Sequence, residues 1–403
     1  MQPVLTLSEP RGRSSALGHV WSKHSQSISI IALILLGVVL MAGRLTGPVD
    51  WGPDALFYQA QVYEIQGESQ NAALQRAFSS PAAHQVAKDP TETLVAKPAW
   101  VKYSAQFYRR RWVMPLIAAA ISPVVGGDRA LQDASILGYL AIGLLLFALL
   151  RCRFTAGISL LVSALALLIV PLHRYSGQPL ADSWGLATEI AALLAACKAL
   201  ERGGRWMLIW PAAMLLATFA KDSSPVLLIA LAGATLVLRT RRSLIALGLG
   251  IMAAIPAPAI FGASIRTQLA YAIANYQRPP SGSWSYVIDH FPHSAWTVIR
   301  KDLEWPALQH FAPVYVIGAL CILAAVIYMC WRAPTRDPFF LLQRFALVGC
   351  VVTVGIALNY TGLRLELMFV PCVAAGLAFG FEGLHSRWLA RPSLIPLPDT
   401  STG

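Results

Sequence analysis

The sequence predicts an all-α polytopic membrane protein: about ten transmembrane helices with juxtamembrane helices in a long first outer loop. Three observations carry this. The 403 residues are 56% hydrophobic and only 13% charged, with a mean hydropathy of +0.57, whereas a soluble domain is about a quarter charged. Apolar runs of membrane-spanning character recur along the whole chain. Lys and Arg collect in alternate connections, as the positive-inside rule requires of cytoplasmic loops.

Residues 1–27 form a basic tail, expected in the cytoplasm. The run 28–45 follows it in the order of a signal peptide, but it is long and no Ala-x-Ala site follows, so an uncleaved first span is expected. An outer loop, 46–130, comes next, with juxtamembrane helices near 54–66 ("DALFYQAQVYEIQ") and 112–125 ("WVMPLIAAAISPVV"). Further spans are expected at 131–150, 154–172, 184–200, 206–220, 225–238 and 244–261. A second outer loop, 262–310, is rich in Trp, Tyr and His, as suits a headgroup-level surface. The last spans are 311–331, 345–358 and 367–384, within a single domain of 28–385, and a cytoplasmic tail of 386–403 closes the chain.

Charge placement settles the status of 112–125. With it not crossing, the loops 151–153, 198–205, 239–242 and 331–344 are inside and hold eleven Lys and Arg. The short outer loops then hold three, Arg174, Lys221 and Arg364. A crossing would invert this bias, so an interfacial or half-inserted helix is expected, with Arg109, Arg110 and Arg111 at headgroup level. The same topology puts fifteen of twenty Asp and Glu on the outer side. The net charge of +12 is accounted for by these loops. No dense basic block or nucleic-acid motif accompanies it, and nucleic acid is not an expected partner. Six cysteines lie in or beside spans without CxxC or metal-ligand spacing.

The outer loops carry the candidate chemistry. Asp50 and Asp54 stand where the chain leaves the first span, and Gly52-Pro53 before Asp54 is a helix start. A carboxylate there suits the exposed amides, and a helix cap alone would account for it. Tyr58 lies one turn on. The next outer loop brings His173, Arg174 and Asp182, with Glu189 two turns further along the same helix face. Lys221 and Asp222 follow in the third loop, Arg364 and Glu366 in the last, each pair also readable as structural. Ionisable residues at membrane depth are costly unless paired or facing a cavity, so four such loops suggest one polar pocket.

This order of parts resembles the GT-C superfamily of membrane glycosyltransferases, which includes aminoarabinose transferases and protein O-mannosyltransferases. "DALFY" is similar to the family's acidic Asp-Glu-x-x-Tyr motif, with Ala55 where the Glu stands, so that a second carboxylate would have to be Asp50. "YRRRWVMPLIAAAISPVVGG" resembles the second juxtamembrane helix. "SGQPLADSWGLATEIAALLAA", "FAKDSSPVLLI" and "GLRLELMFVPCVAAGLAFG" are similar to later family segments. The resemblance implies transfer of a sugar from a polyprenyl-phosphate donor to a glycan, lipid or protein acceptor hydroxyl at the outer face. It implies an inverting single displacement with Asp54 as base and Arg364, then Lys221 and Arg174, near the leaving phosphate. Asp182 and Glu189 would bind sugar hydroxyls or a divalent cation, Mg or Mn. The Ala/Arg/Leu-rich composition suggests a bacterial inner membrane. Two other readings compete. A transporter or flippase would place ionisable residues near the midplane. An O-antigen polymerase or ligase would lean on Arg and His in 262–310.

Overall fold

The computed structural model describes residues 16–89, 93–221, 223–261, 264–275, 277–303, 312–357 and 365–389. They form helices and turns, with no strand among them. The segment 46–130 holds α2 (Pro53–Ile65), α3 (Gln70–Phe78), α4 (Pro81–Ala87), α5 (Pro98–Tyr108) and α6 (Val113–Val125), after α1 (Ala16–Thr46). The bundle continues with α7 (Gly127–Leu150), α8 (Ala156–Leu167), α9 (Val170–Ser176), α10 (Asp182–Arg202), α11 (Trp206–Ala220), α12 (Ser224–Leu238), α13 (Arg241–Ala254) and α14 (Pro256–Phe261). The second loop contributes α15 (Ile265–Ile273) and α16 (Trp284–Leu303). The chain ends in α17 (Ala312–Arg332), α18 (Pro338–Ala357) and α19 (Val370–Leu389).

Among the described residues five helices are long and apolar enough to cross a membrane: Ser25–Thr46, Gly127–Leu150, Asp182–Arg202, Pro338–Gly355 and Leu367–Leu384. The ten expected spans are therefore not all single full-length helices. At about 1.5 Å per residue, the 15 residues of α11 or α12 reach about 22 Å, short of the ~30 Å hydrocarbon core. The run 154–172 is also not continuous: α8 and α9 are bent by 65°. Pro171 explains the break, because it cannot donate to the carbonyl four residues back. That carbonyl, on Leu167, accepts instead from Tyr139 Oη at 2.5 Å. The run 244–261 likewise divides before Pro256.

The connections gather at two ends. At one, Arg153 binds Asp337 at 2.7 Å and also Glu201, while Arg242 donates to the Glu201 carbonyl at 2.8 Å. These residues come from the four loops expected on the cytoplasmic side. At the other end, Arg129 donates to carbonyls in the last turn of α1, on Arg44 at 2.9 Å and on Leu45, and to the Gly47 carbonyl just beyond it at 3.1 Å. A cation there complements the helix's negative end. Both ends of α6 are tied to α2, through Arg111 to Tyr58 Oη at 2.9 Å and Gln66 to Ser122 at 3.4 Å. Helix α6 thus lies beside α2, and it also packs against α7.

The outward faces are apolar. On α1, Ile28, Ile31, Leu35 and Val39 form one exposed stripe, while Leu33 and Met41 are buried. Such a stripe fits hydrocarbon as its solvent. Inside the bundle small residues let helices approach closely. A Cβ on Gly349 of α18 would meet the Val226 Cα of α12 at 2.8 Å, a backbone atom that cannot step aside. Gly349→Val is expected to cost about 1–3 kcal/mol, seen as a lower unfolding temperature in detergent. An unchanged transition would mean that α12 and α18 are not packed at this point.

Candidate functional site

Helix α2 is buried along most of its length, and this places the acid at its start. Leu56, Phe57, Tyr58 and Ala60 each enter a different apolar cluster. Asp54, in the first turn, is half-buried and accepts from Tyr108 Oη at 2.6 Å. The Tyr108 ring stacks on Phe57 with centroids 4.3 Å apart and meets Tyr58 edge-on at 5.7 Å. Burial and then the Asp54 charge hold the Tyr108 phenol well above its usual range, so it donates at neutral pH. Arg111, bound to Tyr58, also lies 5.3 Å from the Tyr108 ring centroid.

The segment 262–310 closes on the same place. Tyr271 of α15 pairs with Ser104 of α5 at 2.7 Å and stacks on Phe107 at 4.1 Å. Its phenol is pushed up to about 12, mainly by burial, with a contribution from the Asp54 charge. Arg110 donates to Gln268 at 3.3 Å. The loops 46–130 and 262–310 therefore meet along α5, beside Asp54.

Asp50 does not join Asp54's hydrogen-bonded group. It accepts from Arg44 and Gln178, each at 3.0 Å, and lines a hollow of about 550 Å³ with His173. His173 Nε2 lies 2.8 Å from the Leu40 carbonyl. Arg174 is exposed, 5.9 Å from the Tyr175 ring.

The third group is buried in the bundle. Lys221 Nζ binds Asp182 Oδ1, at the start of α10, at 2.5 Å. Glu189, 2% exposed, has Ser223 and Lys221 as polar neighbours, and its Oε1 has no hydrogen-bond partner among the described residues. Groups of three or more His, Cys, Asp or Glu suited to a metal are absent among the described residues. Asp182 meets Lys221 through its Oδ1. Asp222 and Arg364 lie outside the described residues. So does the side chain of Glu366, whose backbone is in a 3-10 turn, Leu365–Phe369.

The groups share one end of the bundle. Tyr58 and Ala181, the residue before Asp182, belong to one apolar cluster, and Gln178 connects Asp50 to the same turn. Sequence reasoning missed Tyr108, Ser104 and Tyr271 as site residues. Their partners lie 54 and 167 positions away, beyond any local period. The aromatic-basic pattern of "YRRRW" was the one available signal.

Removing one partner of a buried ion pair strands the other charge. Lys221→Met should destabilise the protein by about 3–5 kcal/mol in detergent unfolding, and adding Asp182→Leu should recover most of it. Equal loss in the single and double variants would remove the pair as the cause.

Compared with known proteins, the chain matches no family model and no curated sequence at a significant level.

Proposed function

We propose that this chain is a membrane glycosyltransferase that moves a sugar from a polyprenyl-phosphate donor to an acceptor hydroxyl. The observation that carries the reading is the meeting of both outer segments on Asp54. A half-buried carboxylate sits at a helix start with the Tyr108 phenol on one oxygen and Arg111 and Tyr271 close by. In this reading the end bearing Asp54 faces away from the cytoplasm of a bacterial inner membrane. The chain then crosses the bilayer about ten times, the shorter apolar helices and the broken pair completing the crossings.

Asp54 takes the proton of the acceptor hydroxyl as its oxygen bonds to the anomeric carbon. The bond from that carbon to the lipid phosphate oxygen breaks at the same time, with inversion. Tyr108 orients the carboxylate. The leaving phosphate needs positive charge that acts more strongly in the transition state than in the ground state. Arg111 supplies it beside Asp54, and its fork matches phosphate oxygens; Arg364 is a second candidate. Lys221 is committed to Asp182 and keeps that turn in place. Acceptors of three kinds, glycan, lipid or protein, are compatible with this chemistry.

The buried Glu189 favours a second reading, ion-coupled transport of a lipid-linked substrate. One assay separates the two. Purified protein incubated with radiolabelled polyprenyl-phosphate sugars and cell-envelope acceptors should release lipid phosphate. Asp54→Asn should slow this by about 10²- to 10⁴-fold while leaving the fold intact. An unaltered rate would take Asp54 out of the mechanism, and lipid movement across vesicles without donor consumption would favour transport.

A further inference from the structure

On α5, beside the Asp54 group, a cavity of about 680 Å³ opens between α3, the start of α5 and the turn after α15. Four cations line it, Lys97, Lys102, Arg109 and Arg278, and among the described residues no carboxylate does. None of the four makes an ion pair among the described residues. The acid that feels Arg109 is Glu64, on α2, which is not part of the lining. Like charges gathered around one concavity repel, and an anion relieves that repulsion.

A second set of groups narrows the ligand. Trp100 is half-buried and held by Phe57 at 5.6 Å between centroids, while Tyr103 rests on Tyr271 at 5.6 Å. Both aromatics therefore line the cavity from fixed positions. Gln106 and Gln277 add amide donors and acceptors. An aromatic face flanked by amides suits a sugar ring, whose C–H face is apolar and whose hydroxyls need partners. Cations suit a phosphate or carboxylate on that ring. Simple anion capture would not need the indole.

We infer that this cavity binds an anionic saccharide, a sugar ring bearing a phosphate or carboxylate group, with the ring against Trp100 and the anion among Lys97, Lys102, Arg109 and Arg278. The residues that carry it are distinct from Asp54, and the binding does not depend on the transferase reading. The same phosphate chemistry is offered by phospholipid headgroups, and the experiment separates the two sources.

The full chain in phosphatidylcholine nanodiscs is titrated calorimetrically with glucose 1-phosphate, glucuronic acid, glucose and inorganic phosphate, at low and high salt. The two anionic sugars should bind at least about tenfold more tightly than glucose or phosphate, and salt should weaken them. Lys102→Gln with Arg278→Gln, both exposed and outside ion pairs, should weaken the anionic sugars by about tenfold or more. Trp100→Leu should weaken the sugar phosphate without altering inorganic phosphate. Equal affinity for phosphate and sugar phosphate would overturn the inference in favour of a bare anion site. Absence of sugar binding with a response to phosphatidylglycerol nanodiscs would assign the cavity to headgroups and overturn it as well. Failure of every probe to bind would overturn it outright. Loss of transferase activity without loss of this binding would leave it standing.

Discussion

Enclosure of α2 is the constraint on which the end bearing Asp54 depends. Ala55 to Val62 are buried without a break, Gln59 and Gln61 among them, so α2 presents no continuous face to solvent. Helix α2 is surrounded by α3, α4, α5 and α6, and successive side chains separate into four clusters. Its first turn is thereby held in a single position. Asp54 stands at the rim, half-buried, and Tyr108 meets it from α5. A carboxylate held in this way is preorganised for one partner at a time. That is what proton transfer to a placed group requires.

The same end joins parts that are far apart in the chain. Carbonyls in the last turn of α1 receive Arg129 from α7, Asp50 receives Gln178, and Ser104 meets Tyr271. At the opposite end Arg153 bridges Glu201 and Asp337. Between these ends the outward surface is aliphatic. Charge is therefore sorted to two levels, as an apolar solvent around the middle demands. The exception is the buried group of Asp182, Lys221 and Glu189, just inside the end bearing Asp54. Its ion pair removes two charges from the balance, and Glu189 remains among apolar helices with few polar neighbours.

The composition and apolar runs determined the helical class rich in apolar helices, and the four Lys- and Arg-rich loops at 151–153, 198–205, 239–242 and 331–344 are joined through Arg153 and Arg242. Those features are local or additive, so a single sequence carries them. The starts of α2, α11 and α12 were also legible, because Pro and Gly act within one turn. Span lengths were only partly so. A hydropathy run records what can be buried, not where a helix breaks, and the bend at Pro171 rests on a tyrosine from another helix. Tertiary structure alone decided the partners: Lys221 with Asp182, Asp54 with Tyr108, and the four cations with one cavity. Such pairings depend on which helices lie side by side, and that is set by packing of whole surfaces over long sequence separations, which no short stretch of residues encodes.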